Sequence, residues 1–116
     1  MKLAKSSLIN EIDNRYMNPF EIIAQATQAI AANPSDSAAY KQRALVLCQM
    51  QQFDDAMADL DILINTLHTD DAEIFQLRGT LRMNKGDKAG ALDDMRKALD
   101  LNPELLQQLC GEFQTK

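Results

Sequence analysis

The sequence has few of the residues on which catalytic and metal sites are built. Its 116 residues include one histidine, two cysteines, four glycines and no tryptophan. No nucleophile or orienting acid stands at a position matching His68, so we interpret this residue as structural, at a helix end. The sequence has neither a glycine-rich phosphate loop nor a cluster of metal ligands. These absences predict a protein that is not an enzyme and has no cofactor or metal.

The sequence also lacks paired cysteines and long apolar runs. Cys48 and Cys110 lie far apart, which favours a reduced, intracellular setting, and we predict a cytoplasmic protein. The apolar run near the N-terminus stops at Ile9, too short for an export signal. No run approaches the roughly 20 apolar residues of a membrane span, so we expect no membrane contact.

Positive charge is scarce as well. Lys and Arg number 12 against 17 Asp and Glu, a net charge of -5, which argues against nucleic acid because phosphate binding needs clustered cations. Between Asp54 and Glu73 there are seven acidic residues and neither Lys nor Arg. This acidic stretch is either a solvated helix face or a docking patch for a basic partner. The neighbouring pairs Asp54-Asp55 and Asp93-Asp94 diverge by about 100° on a helix, and we expect them at the solvated surface.

An internal repeat is the strongest positive signal. A shift of 35 residues carries Tyr40-Lys41-Gln42-Arg43-Ala44 onto Phe75-Gln76-Leu77-Arg78-Gly79, and the same shift carries Ala56 to Ala91 and Asp59 to Asp94. Abundant Ala, Leu, Met and Gln favour helices. A period in the mid-thirties, with two helices per unit, is typical of an array whose units bury a core by stacking.

The repeat resembles the tetratricopeptide (TPR) family. The second copy ends in Gly86-Asp87, spaced alanines Ala91 and Ala98, and Leu99-Asp100-Leu101-Asn102-Pro103. Phe75 and Gly79 stand where the family keeps an aromatic and a small residue. The first copy fills the corresponding positions with Tyr40, Ala44, Phe53, Ala56 and Leu60. The sequence departs from the family pattern where Arg43 and Arg78 replace leucine, Leu63 replaces alanine and His68 replaces the closing proline.

The resemblance implies an all-α fold, a right-handed α-α superhelix of about three helical hairpins plus a C-terminal capping helix. We predict one domain over residues 1–116. Its divergent first unit spans about 3–34, the second about 37–70, the third about 72–105 and the cap about 103–113. The apolar stripe of the cap either covers the last unit or makes a dimer contact.

Capping residues predict where the helices begin and end. Asn18 before Pro19 starts one helix, and Ser35 or Asp36 starts the next. We expect a partner helix over Phe53 to Leu67, and a capping box of Asp70 and Glu73 ahead of the third pair. Gly86 is expected to stop a helix in the left-handed conformation, ahead of a last helix from about Asp87 to Leu101.

In TPR arrays the first helix of each pair lines a concave groove that binds extended or helical peptides. By repeat position the resemblance implies a groove formed by Ala38, Lys41, Leu45, Cys48, Glu73, Gln76, Thr80 and Met83, with Ser7, Glu11 and Asn14 from the first unit. Lys41 is its main cation. Leu45, Glu73 and Leu77 stand where a family subset that clamps chaperone carboxylates needs polar or basic groups, which argues against that activity.

These inferences predict a non-enzymatic module that binds a peptide segment of a partner protein, as a monomer or weak homodimer. Two alternatives stay open: a structural protein that self-associates through exposed helix ends, and an accessory subunit resembling the secretion-type chaperones of the same repeat family. The repeated arginines Arg43 and Arg78 either pack their stems on the groove with the charge in water, or anchor an acidic ligand.

Overall fold

The chain folds into consecutive helical hairpins. The computed structural model describes residues 18–107, and within them every regular element is helical. The elements are α1 (Pro19–Ala32), α2 (Ser37–Gln49), α3 (Phe53–Asp61) continuing as a π-helix (Ile62–Thr66), α4 (Ala72–Asn84) and α5 (Lys88–Leu101). A further helical turn covers residues 104–107. The all-α fold is therefore confirmed.

Two expectations concern parts of the chain outside the described residues. The first helix of the first unit, with Ser7, Glu11 and Asn14, lies there, and so does most of the expected capping helix, after residue 107. The hairpins α2–α3 and α4–α5 correspond to the units expected at about 37–70 and 72–105. The division of the whole chain into three units and a cap stays a prediction.

Side-chain caps mark the starts of α1, α2, α4 and α5. Asn18 Oδ1 accepts a hydrogen bond from Phe20 N at 2.8 Å, and Asp36 Oδ1 accepts one from Ala39 N at 3.2 Å. The expected capping box on Asp70 is wrong by one residue, because Asp71 is the cap and accepts from Glu73 N at 3.0 Å. Thr69 Oγ1 accepts from Asp71 N and fixes the loop in this position.

The turns inside the two hairpins make the same backbone hydrogen bonds at equivalent positions. Gln51 N donates to Cys48 O and Gln52 N to Leu47 O, and 35 residues later Gly86 N donates to Met83 O and Asp87 N to Arg82 O. Gly86 has the expected left-handed conformation, φ 89°. Gln51 adopts φ 62° at the equivalent position, where a residue with a Cβ is strained.

The second helix of the middle hairpin differs from the expected α-helix over Phe53 to Leu67. It widens at its end, where Leu67 N donates to Ile62 O, five residues back. His68 then takes φ 54°. Proline is locked near φ -65° and cannot adopt this conformation, which explains why the closing proline of the pattern is missing here.

The core lies between the hairpins. A continuous cluster joins helices α2 to α4, formed by Tyr40, Ala44, Leu47, Ala56, Leu60, Leu63, Ile74 and Leu81. Ala44, Ala56 and Leu60 are fully buried. A Cβ added to Gly79 would lie 3.3 Å from Ala91 O and from Asp94 Cβ, so the small residue allows the close approach of α4 and α5.

Candidate functional site

The first helices of the two hairpins, α2 and α4, carry the predicted groove residues, and most of these line neighbouring depressions. Ala38 and Lys41 line a depression of about 250 Å³. The next depression, about 210 Å³, is bordered by Leu45, Glu73, Gln76, Leu77 and Thr80. Met83 is not brought together with these residues, because it borders, with Thr80, a separate depression formed by α4 and α5. Side chains from α2 and α4 therefore share one strip of surface, which we call the groove.

Cys48 differs from the other groove candidates. It is half-buried and packs against the core cluster rather than standing free at the surface. Burial raises the pKa of its thiol above the ordinary value. The side chain therefore contributes apolar packing beneath the groove, and its thiol is kept neutral.

Lys41, the expected cation of the groove, is bound by two carboxylates of the next hairpin. Its Nζ lies 2.7 Å from Asp71 Oδ2 and 2.7 Å from Glu73 Oε1. The hydrogen bond to Asp71, followed by that to Glu73, raises the pKa of Lys41. The cluster carries two negative charges against one positive charge. An incoming carboxylate would have to displace one of these partners, whereas an incoming cation would not.

The groove widens beside this cluster into an acidic cleft of about 560 Å³ between the start of α4 and the end of α5. Asp70, Asp71 and Glu73 form one side, and Leu101 and Leu105 lie on the other. The cleft thus combines carboxylates with apolar surface. Such a lining suits a segment that carries both basic and apolar side chains.

The repeated arginines meet acidic partners inside the chain. Arg78 Nε and Nη2 donate to Asp94 Oδ2 and Oδ1 at 2.9 and 2.8 Å, and Arg43 forms the same two-pronged pair with Asp59 at 2.8 and 2.7 Å. Both roles expected of these arginines are wrong, because each guanidinium group is bound by an aspartate rather than left in water or free for a ligand. These hydrogen bonds raise the pKa of both guanidinium groups.

The sequence analysis did not identify Asp59 and Asp94 as the partners of these arginines. Asp59 and Asp94 are both 3% exposed, so the expectation that Asp94 is solvated surface is wrong. Asp54, Asp55 and Asp93 are exposed as expected. A signal was present: arginine and aspartate recur together after 35 residues, with the same spacing of 16 between them.

Each arginine also reaches back to the preceding hairpin. Arg43 Nη1 donates to Thr27 Oγ1 at 3.0 Å, and Arg78 Nη1 donates to Asp61 Oδ1 at 2.9 Å. Thr27 and Asp61 hold equivalent positions on α1 and α3, each eight residues after the first residue of its helix. One arginine per hairpin therefore ties its own two helices together and links them to the preceding hairpin.

The acidic stretch from Asp54 to Glu73 is not a uniform solvated face. Asp59 and Asp61 bind the repeated arginines, Asp71 and Glu73 bind Lys41, and Asp54 pairs with Lys85. Most of its carboxylates thus hold the hairpins together. Asp70, in the cleft, has no such role.

Residues 18–107 contain no group of three or more His, Cys, Asp or Glu placed to hold a metal ion. Among the helices of this part of the chain, none has the length and apolar character needed to cross a membrane.

Comparison with known proteins supports the repeat class. The chain is 32% identical over 95 residues to tetratricopeptide repeat protein 34 of Mus musculus, a match that covers 78% of this chain and 17% of that protein. The chain thus spans about a sixth of this relative. No protein-family model matches.

Two solved structures of MamA have a similar fold. One, titled the crystal structure of MamA protein, superimposes with a TM-score of 0.68 at 22% identity over 82% of this chain and 51% of its own. The other, MamA MSR-1 C2, gives 0.62 at 18% identity over 71% of this chain and 47% of its own. The fold is a right-handed superhelix of α-hairpins, and the chain is built of TPR-type repeats. This fold is generally that of a protein-interaction module.

Proposed function

We propose that this protein is a non-enzymatic module that binds a segment of a partner protein in the groove between α2 and α4. The observation that carries the proposal is the alignment of depressions along these helices, bordered by apolar Leu45 and Leu77 and by amide and hydroxyl groups of Gln76 and Thr80. Such a surface offers pockets for side chains and hydrogen-bonding groups for a peptide backbone.

The charges of the groove favour a partner segment that contains lysine or arginine. Lys41 is already paired with Asp71 and Glu73, and Asp70 adds a further negative charge beside them. A cation would therefore find excess carboxylate, with Asp70 and Glu73 both exposed. Two hairpins bury limited area and a flexible segment loses entropy when bound, so we expect modest affinity that falls as salt is added.

Site-specific photocrosslinking in the native cell tests the groove before the partner is known. A benzophenone amino acid replaces Gln76 in the groove and, in a control, exposed Gln28 on α1. We expect a partner adduct from position 76 and none from position 28. Adducts from position 28 but not from position 76 would show that the binding surface lies outside the groove.

Once the crosslinked segment is known, a matched pair of substitutions measures the contribution of the groove. Gln76→Arg places a bulky cation among the groove residues, and Gln28→Arg makes the same change at an exposed site. We expect Gln76→Arg to weaken binding about tenfold, or 1.4 kcal/mol, with Gln28→Arg unchanged. Equal affinities would contradict the proposal.

The alternative of self-association has one observation in its favour, the half-exposed side chains Met83 and Leu92 at one end of the helical stack. No feature of residues 18–107 favours a secretion chaperone over other peptide-binding modules. We further propose a cytoplasmic location, because Cys48 and Cys110 lie far apart in the sequence and do not suggest a disulfide.

A further inference from the structure

A cavity of about 290 Å³ opens on the side of α2 that faces away from the groove. Arg43 and Leu47 border it, each two residues after the groove residues Lys41 and Leu45, and two residues turn a helix by about 200°. We call it the rear cavity; its other lining residues are Ile23 and Thr27 of α1 and Asp55, Ala58 and Asp59 of α3.

The equivalent place in the last hairpin is filled by an arginine. Arg82 follows Leu47 by 35 residues, and its Nη1 lies 3.2 Å from Asp94 Oδ2. The same nitrogen donates to Gly90 O at 3.3 Å. Two guanidinium groups, those of Arg78 and Arg82, therefore contact the buried carboxylate of Asp94.

Asp59, the counterpart of Asp94, has one such partner among the described residues. Arg43 Nε donates to its Oδ2 at 2.8 Å and Arg43 Nη2 donates to its Oδ1 at 2.7 Å. A carboxylate has about four acceptor positions, so Asp59 can accept further hydrogen bonds. Leu47 stands in the place of the second arginine and carries no donor. The rear cavity thus lies where the other hairpin holds a cation.

The residue at the edge of the rear cavity adds negative charge. Asp55 precedes Gly90 by 35 residues and is exposed. A Cβ added to Gly90 would lie 3.0 Å from Arg82 Cδ, so a side chain at this position stands beside the arginine site. The rear cavity combines two carboxylates, those of Asp55 and Asp59, with the single guanidinium of Arg43. The set therefore lacks one positive charge.

We propose that the rear cavity binds a guanidinium group, supplied by an arginine side chain of a partner protein. This group takes the place that Arg82 fills in the last hairpin, with Asp59 as the buried acceptor and Asp55 as the exposed one. Ile23 and Leu47 offer apolar surface to the methylene stem. A planar guanidinium can donate to two carboxylates at once, which favours arginine over lysine. The site is separate from the groove and does not depend on it.

An NMR titration of the isotope-labelled full chain tests the site. The probe is Nα-acetyl-arginine amide, an arginine with a peptide bond on each side, and Nα-acetyl-citrulline amide is its neutral analogue of similar shape. We expect the arginine probe to cause saturable shifts of the backbone amide signals of residues 23–27 and 55–59, and the citrulline probe to cause none. Equal shifts with both probes, shifts confined to the acidic cleft, or no shifts would overturn the proposal.

A matched pair of substitutions tests the role of the exposed carboxylate. Asp55→Asn removes its charge with little change in size, and Asp93→Asn makes the same change at an exposed position of α5. We expect Asp55→Asn to raise the dissociation constant of the arginine probe about threefold, and Asp93→Asn to leave it unchanged. Both residues are exposed, so circular dichroism should show the helix content of the natural chain. An unchanged constant in Asp55→Asn would contradict the proposal.

The substitution Arg82→Leu tests the comparison between the hairpins. It gives the last hairpin the leucine that the middle hairpin has at Leu47, and it leaves Asp94 with Arg78 alone. Asp87 Oδ2, which lies 4.0 Å from Arg82 Nε, remains as an exposed carboxylate. We expect the arginine probe to shift the amide signals of residues 90–94 in this variant but not in the natural chain. No new shifts there would show that the place of Arg82 is not a guanidinium site, and the proposal would fail.

Discussion

Arg78 and Asp94 form a two-pronged ion pair inside the last hairpin, and Arg43 and Asp59 repeat it 35 residues earlier. The Arg78 side chain is 9% exposed and that of Asp94 4%. Arg82 Nη1 also lies 3.2 Å from the same carboxylate. The family pattern has leucine in the place of Arg78, so the pair is a departure from that pattern.

Removal of the carboxylate should be far more harmful than removal of the whole pair. Asp94→Ala leaves Arg78 buried with one exposed partner, and we expect it to lower the free energy of unfolding by about 3 kcal/mol or more. The double variant Arg78→Leu with Asp94→Ala should lose less than Asp94→Ala alone, because no buried charge remains. Urea unfolding measures both. Asp93→Ala, next to it on the exposed side, is the control and should change stability by less than about 0.5 kcal/mol.

Gln51 should be replaceable by glycine with a gain in stability. Its φ of 62° lies in the left-handed region, which Gly86 occupies with φ 89° in the equivalent turn, and glycine reaches this region without a steric penalty. We expect Gln51→Gly to raise the free energy of unfolding by about 0.5–1 kcal/mol and Gly86→Gln to lower it by a similar amount or more. Thermal unfolding followed by circular dichroism checks both. A loss of stability in Gln51→Gly would contradict this account of the turn.

The contribution of Lys41 to stability should depend on alkaline pH. Its pKa is raised in the folded chain, so its stabilising effect is complete below the unfolded value of about 10.4 and is lost as pH rises through the folded value. The difference in unfolding free energy between the natural chain and Lys41→Met should therefore be constant from about pH 7 to 9 and shrink above about pH 10.4. Exposed Lys97→Met, the control, should show no difference at neutral pH. A difference that grows with pH would contradict the Lys41 cluster.

Cys48 should react slowly with alkylating reagents. Burial raises the pKa of its thiol, and only the thiolate is nucleophilic. In a Cys110→Ser background, we expect iodoacetamide to modify the folded chain several-fold more slowly than the urea-unfolded chain at pH 8, with the rate for the folded chain still rising above the ordinary thiol pKa of about 8.5. Mass spectrometry of quenched samples gives both rates. Equal rates at pH 8 would mean that Cys48 is more open than the structure shows.

The helices were predictable from the sequence because their signals are local. Helices start at the caps Asn18 and Asp36 and stop at Gly86 because of groups no more than three residues away. The 35-residue repeat then predicts the order of the hairpins. The expected α-helix up to Leu67 failed because the π-helical hydrogen bond and the left-handed His68 have no distinct local pattern.

Contacts across hairpins were harder to predict. Adjacent aspartates divide between solvent and core in a way that depends on which helix packs against them, as Asp93 and Asp94 show. Lys41 was recognised as a groove cation, yet its pairing with Asp71 and Glu73 required the distance between two hairpins. The co-repetition of Arg43 with Asp59, and of Arg78 with Asp94, was the one sequence signal that could have revealed such pairs.

The side-chain links across the two described junctions differ in charge. Thr27 offers Arg43 a neutral hydroxyl, whereas Asp61 offers Arg78 a charged carboxylate. In a linear array the total stability is approximately a sum of units and their nearest-neighbour couplings. The charged Asp61–Arg78 link should therefore weaken as salt is added, whereas the neutral Thr27–Arg43 link should not, so the two junctions should differ in their response to ionic strength.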